Sequence, residues 1–374
     1  MRLLALVESP DHVCRRYRVL AFEPALRAAG WSLTSEPLAR GLLARSRQLR
    51  AVSRFDAVLL QRRLLPAWQF ALLRRNARRL AFDFDDAVFL RDSHDPRGLT
   101  SRRRAGRFAR TVRGVDVVLA GNDFLADAAL RAGARAERVR TIPTCVDPAD
   151  YPVKRVASRE GPPELVWIGS SSTLKGVEAR RPLWERLGRA FPGLRLRVIC
   201  DRFPAFEGVE TIPVPWSRTT EAEELAQGDV GVGMIPDDDW SRGKCGLKVL
   251  QYQAAGLPVI ADPVGAHVEM IEPGATGFLP ADDDAWIAAV AACADGEARA
   301  RMGAEARRRL EAGYSTTAWA QVFAAAATGT DEPRPNATRP PNFTREKPRP
   351  TGVGGPARRP RSAAESRRGR RGSD

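Results

Sequence analysis

Histidine is almost missing: the 374 residues hold three, His12, His94 and His267. That argues against a histidine-rich metal site. The five cysteines, Cys14, Cys145, Cys200, Cys245 and Cys293, are scattered, odd in number and never in a C-x-x-C pair. Neither a disulfide framework nor a zinc site follows from such spacing, and a reducing compartment does. No apolar run approaches the roughly 18 residues that a membrane helix needs. The opening MRLLALVESP is too short and too quickly acidic for a signal peptide and reads as a first strand. The expectation is a cytoplasmic protein.

What is present is basic. The net charge is +15, from 60 Lys/Arg against 45 Asp/Glu. The stretch from Thr328 to Asp374 has twelve Lys/Arg against five Asp/Glu, so seven of those charges sit on this Pro/Gly/Arg-rich tail, which reads as disordered. Much of the rest lies in two clusters, Arg74, Arg75, Arg78, Arg79 and Arg102, Arg103, Arg104, Arg107, Arg110, Arg113. A basic surface draws anionic partners, whether phospholipid, nucleic acid or phosphorylated substrate. No recognition-helix, RNP or zinc pattern accompanies the charge, and the tail has one aromatic, Phe343, so no specific nucleic acid is expected. The stretch Thr100 to Arg113, with Ala105, Phe108, Ala109 and Val112 as its apolar residues, could lie on an anionic membrane by electrostatics.

Short apolar runs alternate with helix-like stretches. MRLLALV, FDAVLLQ, RLAFDFD and VDVVLAG read as buried strands, and CRRYRVLAFEPALRAAG as one amphipathic helix closed by Gly30. After PTCVDPADYPVKRVASREGPPE the pattern restarts with ELVWIGS, LRLRVIC, DVGVGMIP and PVIAD. The predicted fold class is α/β, two Rossmann-like parallel-sheet domains facing across a cleft, with a basic tail. The expected divisions are residues 1–150, a linker at 151–163, a nucleotide-binding domain at 164–312, a helix at 313–327 crossing back to the first domain, and the tail at 328–374.

Two loops after strands suit a phosphate. In GKCGLKVLQYQAAGLPVIAD a glycine-bearing loop enters a helix, with Lys244 before it and Lys248 in its first turn. Backbone N–H groups and the dipole at a helix start favour an anion, and two lysines there want one; two solvated lysines on an ordinary helix is an equally weighted reading. In WIGSSSTLKG, small residues and Lys175 follow another strand. In the first half, Asp83, Asp85 and Asp86 end a buried strand, where carboxylates are costly unless they meet a cation, a hydroxyl or backbone donors.

The order strand-G-x-x-x-x-x-K-G, then G-K-C-G-x-K-x-L-Q-Y-x-A-A-G-x-P-V-I, then P-V-G-x-x-x-E, then G-x-T-G-F-L, resembles the nucleotide-binding half of the family 4 (group 1) glycosyltransferases. The resemblance implies the GT-B fold and retaining, metal-independent transfer from a nucleotide sugar, with no cofactor. It implies donor contacts from Gly169, Ser170, Lys175, Lys244, Gly246, Lys248, Gln251 and Glu269, with Lys175 gripping the diphosphate. Gln251 stands where the family has a ribose-holding glutamate, and Gly243 where it has a sugar-contacting one. Asp237, Asp238 and Asp239 lie upstream as substitutes. Lys175, Lys248, Asp85 and Asp86 are the expected catalytic set, and Arg16, Tyr17 and Asp83 the acceptor side, for a glycan or lipid-linked acceptor. A sugar-nucleotide epimerase and a catalytically degenerate scaffold are the alternatives.

Overall fold

Apolar runs too short for helices become the inner strands of two all-parallel sheets in the computed structural model, which describes residues 1–153 and 161–330. The rest of the expected linker, 154–160, and the tail from 331 lie outside the described residues. The first sheet holds β1 (Arg2–Val7), β2 (Ser32–Pro37), β3 (Ala57–Gln61), β4 (Leu80–Phe84), β5 (Val117–Ala120) and β6 (Val139–Thr141). Its order is β2-β1-β3-β4-β5-β6. The second holds β7 (Leu165–Ile168), β8 (Arg195–Cys200), β9 (Glu210–Pro215), β10 (Val230–Gly233), β11 (Val259–Ala261) and β12 (Gly277–Phe278), in the order β12-β11-β10-β7-β8-β9.

In each sheet the chain starts on an interior strand and reverses its direction of travel beside it. The switch points therefore fall between β1 and β3 and between β7 and β10. Crevices outside the strand carboxyl ends at such points are where open parallel sheets take ligands. Register decides what emerges there: Gln61 pairs with Asp83, so Arg62 and Asp85 leave their strands close together.

The expected helix CRRYRVLAFEPALRAAG is three pieces: Val13–Arg18, a 3₁₀ turn Leu20–Phe22, and Glu23–Ala28. Pro24 explains the break, since it has no N–H to continue a helix and is tolerated only in a first turn. The helix Thr316–Thr328 returns to the first sheet. Phe323 stacks on Phe22 with ring centroids 4.1 Å apart, and Arg79 donates to the Ala326 carbonyl at 2.8 Å. Among the described residues no helix is long and apolar enough to cross a membrane.

Candidate functional site

At the first sheet's switch point an ion cluster gathers around Arg62. Its Nη1 lies 2.9 Å from Asp85 Oδ1 and its Nη2 2.7 Å from Asp86 Oδ2. Nη1 also donates to the Cys14 thiol at 2.8 Å, and Glu8 lies 3.9 Å from Nε. Arg62 has φ 57°, in the left-handed region that costs a residue with a side chain roughly 1–3 kcal/mol. Burial works against the Asp85 charge, but Arg62 and Arg18 outweigh it and hold the carboxyl below its ordinary range.

Asp83 is a correction. It was expected on the acceptor side, yet it is fully buried and paired with the equally buried Arg18. Arg18 Nε also reaches both its oxygens at 3.1 and 3.3 Å. Alternation along β4 explains the division of labour: Asp83 is within the strand and points into the domain, while Asp85 and Asp86 follow its end.

At the second sheet's switch point the loop after β7 begins the helix Ser171–Glu178. Gly169 is required there, because a Cβ would sit 2.6 Å from the Trp167 ring and 2.7 Å from Thr173 Oγ1. Ser170 and Thr173 close the turn on each other, with Ser170 N donating to Thr173 Oγ1 at 3.3 Å. The Asp201 carboxylate takes the Ser171 N–H and hydroxyl at 2.7 and 2.8 Å. Lys175 stands exposed on this helix.

Lys248 comes from the helix Leu247–Ala254, entered through Gly246 in the left-handed conformation (φ 62°). Its half-buried ammonium lies 5.1 Å from the Trp167 ring centroid and 3.2 Å from Thr173 Oγ1. It makes no ion pair among the described residues. Burial, with the like charge of Lys244, pushes it down to about 7; the Asp86 charge acts the other way. Lys244 itself lies 5.4 Å from the Trp240 ring centroid. Lys248 is thus a partly desolvated amine whose charged form an arriving anion would favour.

The two edges meet. Gly243 packs so close to Ala87 that a Cβ would come within 2.7 Å of its methyl. The Cys245 side chain joins the first domain's apolar core. Asn122 Nδ2 donates to the Lys244 and Arg242 carbonyls at 3.1 and 3.3 Å. Beside this contact a cavity of about 260 Å³ is lined by Asn122, Phe124, Asp237, Arg242 and Glu269, among others. Asp238 is used as a helix cap, accepting from Ser241 N at 2.8 Å, and Asp237 and Asp239 pair with Arg242.

Two further expectations need correcting. Gln251 is 4% exposed, and its amide nitrogen donates to the Tyr17 and Tyr151 hydroxyls at 3.3 Å each. It faces this joint rather than open cleft. Arg16 and Tyr17 meet the second domain instead of an acceptor surface: Arg16 pairs with Glu221, and the Tyr17 hydroxyl donates to the same carboxylate at 3.3 Å. In the basic helix Arg102–Gly114, Phe108 and Val112 are buried in the core, while Ala105 is exposed among the arginines.

Sequence reasoning missed Arg62, Asn122, Trp167, Tyr151, Glu221 and Asp201. Asn122 carried a signal, as an Asn between a strand and an apolar helix is a cap pattern. Arg62 carried none among so many arginines. His267 is structural: its Nδ1 lies 2.9 Å from the Asp262 carbonyl, and burial pushes it down to about 4.

Residues 162–295 match the family described as "Glycosyl transferases group 1". A glycogen synthase of Mycobacterium tuberculosis is 28% identical over 230 residues, 54% of this chain and 52% of that protein. The chain thus spans about half the length of the curated relatives it matches. Among solved structures, HepE of Anabaena in complex with UDP-glucose superposes with TM-score 0.63 at 14% identity, covering 88% of this chain and 100% of the other. A glycosyltransferase from Rickettsia africae gives 0.64 at 12%, covering 88% and 99%. Sucrose-phosphate synthase from Thermosynechococcus elongatus gives 0.63 at 15%, covering 87% and 96%. These likenesses show the fold, the two-domain GT-B arrangement.

Proposed function

We propose that this chain, whose residues 162–295 match the group 1 glycosyl transferases, moves a sugar from a nucleoside-diphosphate sugar to a hydroxyl acceptor. The observation that carries the reading is Lys248, a half-buried lysine without an ion pair among the described residues, held 3.2 Å from Thr173 Oγ1 at the β7–β10 switch point. A diphosphate is the anion whose size and charge suit it together with Lys244 and Lys175. That HepE was solved with UDP-glucose supports the same class of donor here.

In this reading transfer retains configuration. The acceptor hydroxyl attacks the anomeric carbon on the face from which the diphosphate leaves. The new C–O bond forms as the bond to the phosphate oxygen breaks, and the hydroxyl proton passes to that departing oxygen. The lysines offset the charge that develops on it, and no metal or cofactor is called on. Asp85 and Asp86, across the cleft, orient the hydroxyl.

The acceptor in this reading is a glycan or a lipid-linked sugar, met at the inner face of an anionic membrane. The helices Leu42–Ala51, Ala67–Asn76 and Arg102–Gly114 lie side by side and carry many arginines. Leu42 and Leu43 are 69% and 76% exposed, and Trp68 46%. Arg45 donates to Gln69 at 3.0 Å, tying the first of these helices to the second. Exposed apolar residues rimmed by arginine suit an acidic lipid surface. Co-sedimentation with acidic but not neutral vesicles, weakened by salt and by Leu43→Ser, is the expected result. Equal binding to both vesicle types rules the membrane part out.

The test of the reading itself is thermal stabilisation of the full chain by UDP, GDP, ADP and their sugars, followed by turnover with the sugars of whichever base binds. One diphosphate should stabilise, and Lys248→Ala should abolish the shift. A degenerate scaffold is the second reading. It is favoured by Gly243 and Gln251, which serve domain packing, and it wins if a folded sample responds to no nucleotide.

A further inference from the structure

We propose that Arg62 is a positioning residue for the acceptor: its guanidinium holds Asp85 and Asp86 side by side, so that Asp86 presents its second oxygen to the incoming hydroxyl. This rests on the transferase reading above and deepens it.

Three independent observations converge on Arg62. It leaves β3 at the first sheet's switch point, the place where open parallel sheets take ligands. Among the described residues it is the only non-glycine with positive φ. Strained backbone of that kind persists where its surroundings over-determine it, and it clusters at functional sites. Its anchors are visible: the backbone N–H donates to the Asp83 carbonyl at 2.8 Å, and the side chain forks between Asp85 Oδ1 at 2.9 Å and Asp86 Oδ2 at 2.7 Å.

The fork takes one oxygen from each carboxylate. Asp86 Oδ1 makes no hydrogen bond among the described residues. Asp86 is 19% exposed by its side chain and close enough to Lys248 for the two charges to interact. Two adjacent carboxylates would otherwise repel, and one would take up a proton at its neighbour's expense. A planar guanidinium serves both at once, which a lysine cannot. A purely structural pair already exists one step back, where Arg18 closes on Asp83 with nothing exposed. Arg62 repeats the chemistry at the surface of the cleft.

The charged and titratable groups facing this pair are Glu8 from the end of β1, Cys14, Arg18, Asp83, and Cys245 and Lys248 of the second domain. None of these pairs with both carboxylates, as Arg62 does.

The test uses Arg62→Gly and Arg62→Lys in the full chain. Glycine accepts the left-handed backbone, so Arg62→Gly should still fold, with a melting temperature lowered by the lost ion pairs, and bind the nucleoside diphosphate unchanged. Its kcat should fall roughly 10- to 100-fold, as misplacement of a reacting partner does. The acid limb of kcat/KM should move to higher pH, and added guanidinium ion should restore part of the rate. Arg62→Lys should lie between. Wild-type kcat with an unmoved acid limb in Arg62→Gly overturns the proposal, as does a loss that tracks the unfolded fraction and ignores guanidinium. A second readout needs no turnover: the carboxyl-carbon NMR midpoint of Asp85 should rise in Arg62→Gly. If it rises while the parent transfers no sugar, the transferase reading fails and the Arg62 clamp stands. If it does not move, the clamp fails whatever the activity.

Discussion

The hydroxyl oxygens of Tyr17 and Tyr151 lie 2.8 Å apart, joining the first domain to the start of the linker inside a site closed to water. Gln251 of the second domain donates to both, and Glu221 takes a further bond from Tyr17. Burial pushes both phenols up, so both keep their protons and act as donors. Such a network couples its members. Tyr17→Phe and Tyr151→Phe should each cost about 1 kcal/mol in denaturant unfolding. The double variant should cost less than the sum by roughly 0.5 kcal/mol or more. Strict additivity would show that the two hydroxyls act separately.

Lys248 makes a pH prediction whose sign is fixed by its depressed value near 7. A lysine that ionises near 7 when folded and near 10.4 when unfolded binds fewer protons in the folded chain between those values. Its burial therefore destabilises increasingly as pH falls from about 10 to about 7. A bound diphosphate reverses this by favouring the charged form, so binding at pH 8 should take up a proton and weaken as pH rises. Calorimetry in two buffers of different ionisation enthalpy reads the uptake directly. Lys248→Arg, permanently charged, should abolish it. Uptake that survives in Lys248→Arg would assign the proton to another group.

Asp83 and Asp86 stand three residues apart and should behave oppositely. Asp83→Ala strands the enclosed Arg18 guanidinium and should cost about 3–5 kcal/mol, the usual penalty for breaking a buried pair. Asp86→Ala removes a partly exposed carboxylate and should leave stability within about 1 kcal/mol while lowering turnover. Equal losses of stability would mean that Asp86 is structural as well.

What could be read in the sequence follows from where each segment sits. The strands given away by apolar runs, β1, β3, β4, β5, β7, β8, β10 and β11, are interior to their sheets. The four that gave no such signal, β2, β6, β9 and β12, are the four sheet edges. An edge strand is half solvated and needs no continuous apolar run, as SLTSEP and ETIPVP show. The loops carrying Lys175, Lys244 and Lys248 were legible because glycine and lysine after a strand have a local reason. Gln251, Arg16 and Tyr17 were misjudged because their partners, Tyr151 and Glu221, are far away in sequence. Spacing within one motif says nothing about what the other domain brings to it.

Gly121 of the first domain packs against Cys245 of the second with no room for a side chain, and the contact allows a paired test. A methyl group added at Gly121 would come 2.3 Å from the Cys245 sulfur and 3.1 Å from the Asp85 Cα. Gly121→Ala should therefore cost roughly 1–3 kcal/mol by overpacking, or force the loop bearing Lys244 out of the first domain. Removing the sulfur with Cys245→Ala should cost little beyond a small cavity. Combined, the two changes should recover much of the loss, because the methyl then occupies the space the sulfur left. Thermal unfolding measures the energy, and small-angle scattering shows whether the domains part. If the double variant is no better than Gly121→Ala alone, the conflict lies with the Asp85 backbone. The knob formed by Cys245 would then be incidental to how the cleft closes.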